Sequence, residues 1–239
     1  MRAVVLAGGK GTRLRPYTAI LPKPLMPIGT RPILEVVLHQ LRHHGVTHVT
    51  LAVGYLAELL MAYCGNGEKF GIDVDYSKED TPLGTAGPLA LVNDLNDSFL
   101  VMNGDVLTTL DYSRMRARHE ASGAMATLAV YPRKVKVDLG VVEFDDESRL
   151  TSYIEKPEYP FWVSMGIYYF RPEVLDHIEA GTHLDLPDLV TKLGAAGERV
   201  ECYEHDGYWL DIGRDDDYER ALTDFAELED DFLPADMDR

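Results

Sequence analysis

The residues best equipped for chemistry lie in the first two dozen positions of the chain. Gly8, Gly9 and Gly11 follow the apolar run Ala3-Val4-Val5-Leu6, and Lys10, Arg13, Arg15 and Lys23 bring four cations into fourteen residues. Glycine lets a backbone turn with positive φ and approach a ligand without a Cβ in the way. Amide groups exposed in such a turn, beside Arg and Lys, form a cradle for a triphosphate. Neither common phosphate motif is present: G-x-x-x-x-G-K-[ST] is absent, and Gly8-Gly9-Lys10-Gly11 does not fit G-x-G-x-x-G, which argues against a dinucleotide-dependent dehydrogenase. On glycine and charge alone, a tight turn with solvated cations stays open.

Further blocks carry chemistry downstream. Residues 80–92, DTPLGTAGPLALV, place Gly84 and Gly87 around Thr85-Ala86 ahead of an apolar helical run. A helix start there offers free N–H groups and small side chains on which a flat base could lie, or else only a turn. Asp105 follows the apolar run 99–102 and Gly104, where a carboxylate can bind Mg²⁺ bridging phosphates or can cap a turn. Gly140 interrupts a strand-like stretch, as a bulge or as a point of close approach. Glu155-Lys156-Pro157 is either a surface ion pair or a phosphate and hydroxyl contact.

Taken together and in order, GGKGTRLRP (8–16), PKPL (22–25), GDV (104–106) and EKP (155–157) resemble the sugar-1-phosphate nucleotidylyltransferases, from residue 1 to about 228. The resemblance implies Mg²⁺-dependent transfer of a nucleoside monophosphate to a sugar 1-phosphate with loss of pyrophosphate. It assigns the nucleotide to Leu6, Ala7, Gly8, Gly9, Gly11, Thr12, Arg13, Lys23, Pro82, Gly84, Thr85, Ala86, Gly104 and Asp105. Catalysis falls to Arg13, Lys23, Asp105 and Lys156, and the sugar to Gly140, Glu155, Lys156, Ser164 and Gly166. The metal falls to Asp105 and to Asp211 in Trp209-Leu210-Asp211. The wording PLGTAGPLAL (82–91) is most similar to mannose-1-phosphate guanylyltransferases, which favours GTP over UTP or dTTP. Ser164 stands where the family often has Asn, which puts the identity of the sugar in question. A catalytically silent, nucleotide-sugar-binding relative is the rival reading; the complete set of cations and carboxylates argues against it.

The elements that must position these residues follow from apolar periodicity. Strands are predicted at 3–6, 46–53, 72–76, 99–102, 124–131, 150–154, 163–168 and 200–203. One helix is predicted to open at Arg31-Pro32, with Pro in the first turn and Gly45 as the stop, and others at 55–63, 110–122, 185–195 and 215–228. Ile33, Leu34, Val37, Leu38 and Leu41 lie on one face of the first helix. Alternating strands and helices predict an α/β fold, a single Rossmann-like domain with a mostly parallel sheet flanked by helices and its ligands at the strands' carboxyl ends. The expected domain is 1–239, with a core to 228, an acidic tail at 229–239 and no C-terminal β-helix.

Forty acidic against 23 basic residues, a net charge of −17, argue against nucleic acid or an anionic membrane as partner. Polyanionic substrates then require a local positive pocket, which the opening stretch supplies. Cys64 and Cys202 have no C-x-x-C partner, so neither a zinc site nor a disulfide framework is expected, in keeping with a cytoplasmic location. No apolar run approaches the ~20 residues of a membrane span. A homo-oligomer is left open.

Overall fold

The computed structural model describes residues 1–79 and 81–233. Asp80, which opens the 80–92 block, and the frayed end expected over 236–239 lie outside the described residues. The opening apolar run forms β1 (Arg2–Leu6). After it come a small hairpin of β2 (Pro27–Ile28) and β3 (Arg31–Pro32), then α1 (Ile33–His43), β4 (His48–Val53), α2 (Ala57–Cys64) and β5 (Asp73–Lys78). Next are β6 (Phe99–Asn103), β7 (Val106–Thr108), α3 (Tyr112–Ser122), β8 (Ala126–Lys136), β9 (Gly140–Phe144) and β10 (Leu150–Glu155). The chain continues through β11 (Glu158–Phe170), α4 (Leu186–Ala195), β12 (Val200–Glu204), β13 (Trp209–Asp211) and α5 (Asp215–Phe232).

Seven strands form one sheet in the order β12-β8-β11-β6-β1-β4-β5. β6, β1, β4 and β5 run parallel, β11 is antiparallel to both its neighbours, and β12 is parallel to β8. The expected mostly parallel, helix-covered sheet is thus present. Side chains alternate across a strand. Val5 therefore joins Leu34, Val37 and Leu38 of α1 on one face, while Val4 joins Leu189 and Leu193 of α4 on the other. Burial on both faces is why β1 reads as an unbroken apolar run. All five predicted apolar positions of α1 are buried, and Gly45 follows that helix at φ 79°.

Three boundaries differ from expectation. β8 and β11 extend well past the predicted 124–131 and 163–168, and pair with each other out to Lys136 and Glu158. Pro132 concealed this extension, because proline lacks a ladder N–H. β12 pairs with β8 only as far as Val130, so Pro132 sits where β8 is an edge strand and proline is tolerated. α5 runs to Phe232 instead of stopping at 228. Its geometry breaks at Leu228 (φ −119°), but Phe232 is buried and stacks on Phe225 at 5.6 Å, which holds 229–232 in a third apolar cluster. The expected helix after Gly84 is a 3-10 segment, Gly87–Leu91. Among the described residues, no helix is long and apolar enough to cross a membrane.

Candidate active site

β1 delivers the glycine loop to the carboxyl edge of the sheet. Gly11 takes φ 57°, and a Cβ there would come 2.9 Å from Thr18 Cγ2. Thr18 donates its hydroxyl to Gly11 O at 2.7 Å and pins the turn. Beyond it Thr12–Leu14 and Lys23–Leu25 each form a single 3-10 turn. Gly104 follows β6 and donates its N–H to Leu6 O at 2.9 Å; a Cβ at Gly104 would sit 3.0 Å from that oxygen. Glycine is needed here for the two strand ends to meet. The contact brings Asp105 under the loop.

Lys23, buried, forms an ion pair with Oδ2 of Asp105. The other oxygen, Oδ1, is buried and has no hydrogen-bond partner. β13 pairs with β7, and Ile212 donates its N–H to Asp105 O at 3.2 Å, which sets Asp211 beside Asp105. Burial raises the Asp211 pKa above the ordinary carboxylate value; the Asp105 charge adds to the rise, and Lys23 and Arg13 oppose it. A Cβ on Gly213 would lie 3.6 Å from both Arg13 Nη1 and Asp211 Oδ2, so the guanidinium belongs to the same cluster.

An orphaned buried carboxylate oxygen beside a second, mutually repelled carboxylate fits a divalent cation. Among the described residues no group of three His, Cys, Asp or Glu gathers to hold one. A two-carboxylate set is of the kind Mg²⁺ uses when substrate phosphates and water complete its shell.

Two cavities flank Asp105. The smaller, about 240 Å³, is lined by Leu6, Ala7, Gly9, Gly11, Thr12, Arg13, Lys23 and Asp105 among others. The larger, about 770 Å³, includes Leu6, Gly8, Gly9, Pro82, Gly84, Thr85 and Asp105 in its wall. Nearly all the residues predicted to hold a nucleotide are thereby brought together. Ala86 is fully buried and lines neither cavity, and Gly104 acts through strand packing.

The loop at 82–87 departs from expectation in one respect. The N–H groups of Thr85, Ala86 and Gly87 are not free to receive a base. Thr85 N–H donates to Asp185 Oδ1 at 3.0 Å, and the Ala86 and Gly87 N–H groups both donate to Leu184 O, at 2.8 and 3.0 Å. Thr85 Oγ1 accepts in turn from Leu186 N–H at 2.8 Å, locking the loop to the start of α4.

The five predicted sugar residues line neither cavity. Gly166, at φ 72°, abuts Asn103, which does line the larger one; a Cβ there would come 2.5 Å from Asn103 Nδ2. Ser164 shares a 2.9 Å hydrogen bond with the Tyr168 hydroxyl. Gly140 and Glu155 pair across β9 and β10, and the space over Gly140 is filled by the Tyr153 hydroxyl, which donates to Glu155 Oε2 at 3.1 Å. Lys156 is exposed and takes φ 47°, a conformation costly for any residue with a Cβ and one that clusters at ligand sites.

Sequence reasoning missed Tyr55, Lys78, Glu79, Asn103 and His183, all in the larger cavity's wall, and left Lys10 outside the candidate set. The available signal was positional: Gly54, Glu79 and Asn103 stand at or just past the carboxyl ends of parallel strands.

The family model for nucleotidyl transferases matches residues 2–227, and the chain belongs to that family. It is 37% identical to a UTP–glucose-1-phosphate uridylyltransferase of Synechocystis, over 93% of this chain and 62% of that protein. It is 35% identical to the mannose-1-phosphate guanylyltransferase of Mycobacterium tuberculosis, over 94% of this chain and 64% of that protein. The chain thus spans less than two thirds of the length of these curated relatives. A Bacillus anthracis protein crystallised with sucrose has the same fold, with a TM-score of 0.75 at 24% identity over 93% of this chain and 94% of that one.

Proposed function

We propose that this chain transfers a nucleoside monophosphate from a nucleoside triphosphate to a sugar 1-phosphate, releasing pyrophosphate, with GTP and mannose 1-phosphate or a close relative as substrates. The observation that carries this reading is the Lys23–Asp105 ion pair with its unpartnered Oδ1, set between two glycine-lined cavities and beside Asp211.

In this reading a phosphate oxygen of the sugar phosphate attacks the α-phosphorus in line, and the bond to the β-phosphate oxygen breaks. Such transfers need positioning and charge stabilisation more than a protein nucleophile. The Gly8–Gly11 loop and Arg13 hold the β- and γ-phosphates and take up charge on the departing pyrophosphate. Lys23 faces the α-phosphate, and Lys156 holds the attacking phosphate as a point charge. Asp105 and Asp211 would hold Mg²⁺, which when bound neutralises phosphate charge. Gly140, Glu155, Ser164 and Gly166 are assigned to the sugar.

The uridylyltransferase relative supports a second reading, UTP with glucose 1-phosphate, on the same machinery. Pyrophosphate release separates the two. GTP, UTP, dTTP, CTP and ATP are each combined with a panel of hexose 1-phosphates, with Mg²⁺ and with EDTA. Turnover confined to GTP and mannose 1-phosphate or a relative, and abolished by EDTA, is the expected result. Turnover confined to UTP or dTTP with glucose 1-phosphate selects the second reading. Nucleotide binding without turnover across the panel would point to the catalytically silent alternative and overturn both.

A further inference from the structure

The ribbon of β9 and β10 carries a tyrosine hydroxyl on the spot assigned to the sugar. Cross-strand pairing sets Gly140 opposite Glu155, Val142 opposite Tyr153 and Phe144 opposite Leu150, so these six residues share one face. Phe144, Leu150 and Tyr153 are exposed on it. An apolar, partly aromatic face that ends in a carboxylate suits a pyranose, which has an apolar C–H side and a rim of hydroxyls. Tyr153 leans across to the neighbouring pair. Its hydroxyl donates to Glu155 Oε2 at 3.1 Å and fills the space over Gly140, where a Cβ would run into the phenol oxygen. Glycine at 140 is therefore required by the tyrosine lying on it. Among the described residues, no other side-chain hydrogen bond or ion pair reaches Glu155. The turn that follows is strained at Lys156, φ 47°, as turns at ligand sites often are.

We propose that Tyr153 controls access of the sugar: its hydroxyl holds the place of a sugar hydroxyl on Glu155 and has to leave Oε2 before the hexose binds there. The inference rests on the assignment of Gly140 and Glu155 to the sugar in the reading above, and adds the residue that sets how tightly the sugar is held. A phenol and a sugar hydroxyl present the same O–H donor to a carboxylate. With the tyrosine in place, Oε2 is taken and the Gly140 backbone is covered, so the two hydroxyls compete for one position. The bond to be exchanged corresponds to a factor of about 2 to 12 in affinity. A sugar that brings a hydroxyl to Oε2 replaces that bond. One that lacks it breaks the bond without replacing it and is disfavoured by a factor of that order.

The test compares calorimetric dissociation constants of GDP with those of GDP-mannose, and of UDP with those of UDP-glucose, on the wild type and on Tyr153→Phe. Phenylalanine keeps the ring and removes only the competing hydroxyl at an exposed position, so the fold is not at stake. Each bare diphosphate lacks the sugar and serves as the reference for its pair. In at least one pair, the affinity of the nucleotide sugar relative to its bare diphosphate rises by about 2- to 12-fold in Tyr153→Phe, while the diphosphate itself binds as before. A tyrosine that only braces the ribbon would leave both ratios unchanged, and one that helps to hold the sugar would lower them. Either result, in both pairs, overturns the proposal. Binding requires no turnover, which separates this inference from the reading beneath it. A raised ratio in a protein that releases no pyrophosphate overturns the transfer reading and leaves Tyr153 guarding a nucleotide-sugar site. Unchanged ratios in a protein that does release pyrophosphate overturn the role of Tyr153 alone.

Discussion

Lys23 and Asp105 differ as targets for substitution because of what each leaves behind. Removing the Lys23 side chain strands a carboxylate whose other oxygen already lacks a partner, so Lys23→Ala mixes lost chemistry with lost stability. Asp105→Asn keeps the shape and an acceptor for the Lys23 ammonium while removing the negative charge. If the proposed role holds, steady-state pyrophosphate release falls by about 10²–10³, the usual cost of one transition-state charge contact. The urea unfolding midpoint should move little by comparison. Near-normal turnover in this variant would remove Asp105 from the machinery. At this scale the sequence was highly legible for the cations and carboxylates, since short-range spacing placed Gly8 to Lys23 and Asp105. It was silent on Glu79, whose place is defined by Gly8 and Gly54 after neighbouring strands, where a Cβ on either would come 3.0 Å from its Oε1.

Elements carry two further predictions. α3 buries His119 against β8, with Nδ1 2.9 Å from Thr127 Oγ1 and Nε2 buried without a partner. Burial lowers its pKa below the ordinary 6.5, and Arg171 acts in the same direction against Glu120 and Glu201. The unfolded chain then binds the proton more readily than the folded one. Stability is at its full value above about pH 6.5 and is lost as pH falls from there toward the depressed folded value. His44 shifts the same way, chiefly through burial. Urea titrations from pH 7.5 to 5 should therefore show a falling midpoint, and His119→Gln should flatten part of that slope; an unchanged slope would refute the account.

The second prediction concerns the Thr85–Asp185 lock. Asp185→Ala frees the Thr85 N–H, loosens the loop and raises the KM for the triphosphate more than it lowers kcat, and Asp185→Asn restores much of the loss. Equal effects of both substitutions would show that charge, and not the hydrogen bond to Thr85, is what counts. The lock was illegible in the sequence because its halves lie a hundred residues apart, and nothing in PLGTAG announces that its amides are already bonded.

The whole molecule divides into a packed body and an exposed arm. The body was readable because strands buried on both faces leave unbroken apolar runs, and α1 and α4 show a clear apolar face. The arm was readable only in part: the strand expected at 150–154 and the strand-like stretch around Gly140 are β10 and β9, but the outer parts of β8 and β11 are exposed and carry no burial pattern that marks them. Phe144 and Leu150 pair across β9 and β10 and remain 68% and 64% exposed, whereas Leu189 of α4 is fully buried. Leu189→Ala should cost about 2–5 kcal/mol in urea unfolding. Phe144→Ala, leaving no cavity, should stay within about 0.5 kcal/mol. Comparable losses would mean that the arm folds onto the body in solution.

The hydrogen bonds joining Thr85 to Asp185 and Leu184 bear on how this fold can be recombined. The stretch bordering the larger cavity is contiguous from 79 to 87, which invites transplanting it as a cassette between relatives of different nucleotide preference. It is half of a two-piece joint. A graft of 79–87 alone would arrive with amides shaped for a counterpart it left behind, whereas a graft that also carries 182–186 would bring both halves. Nucleotide preference in chimeras of this chain should follow the paired exchange and be lost, together with thermal stability, in the single one.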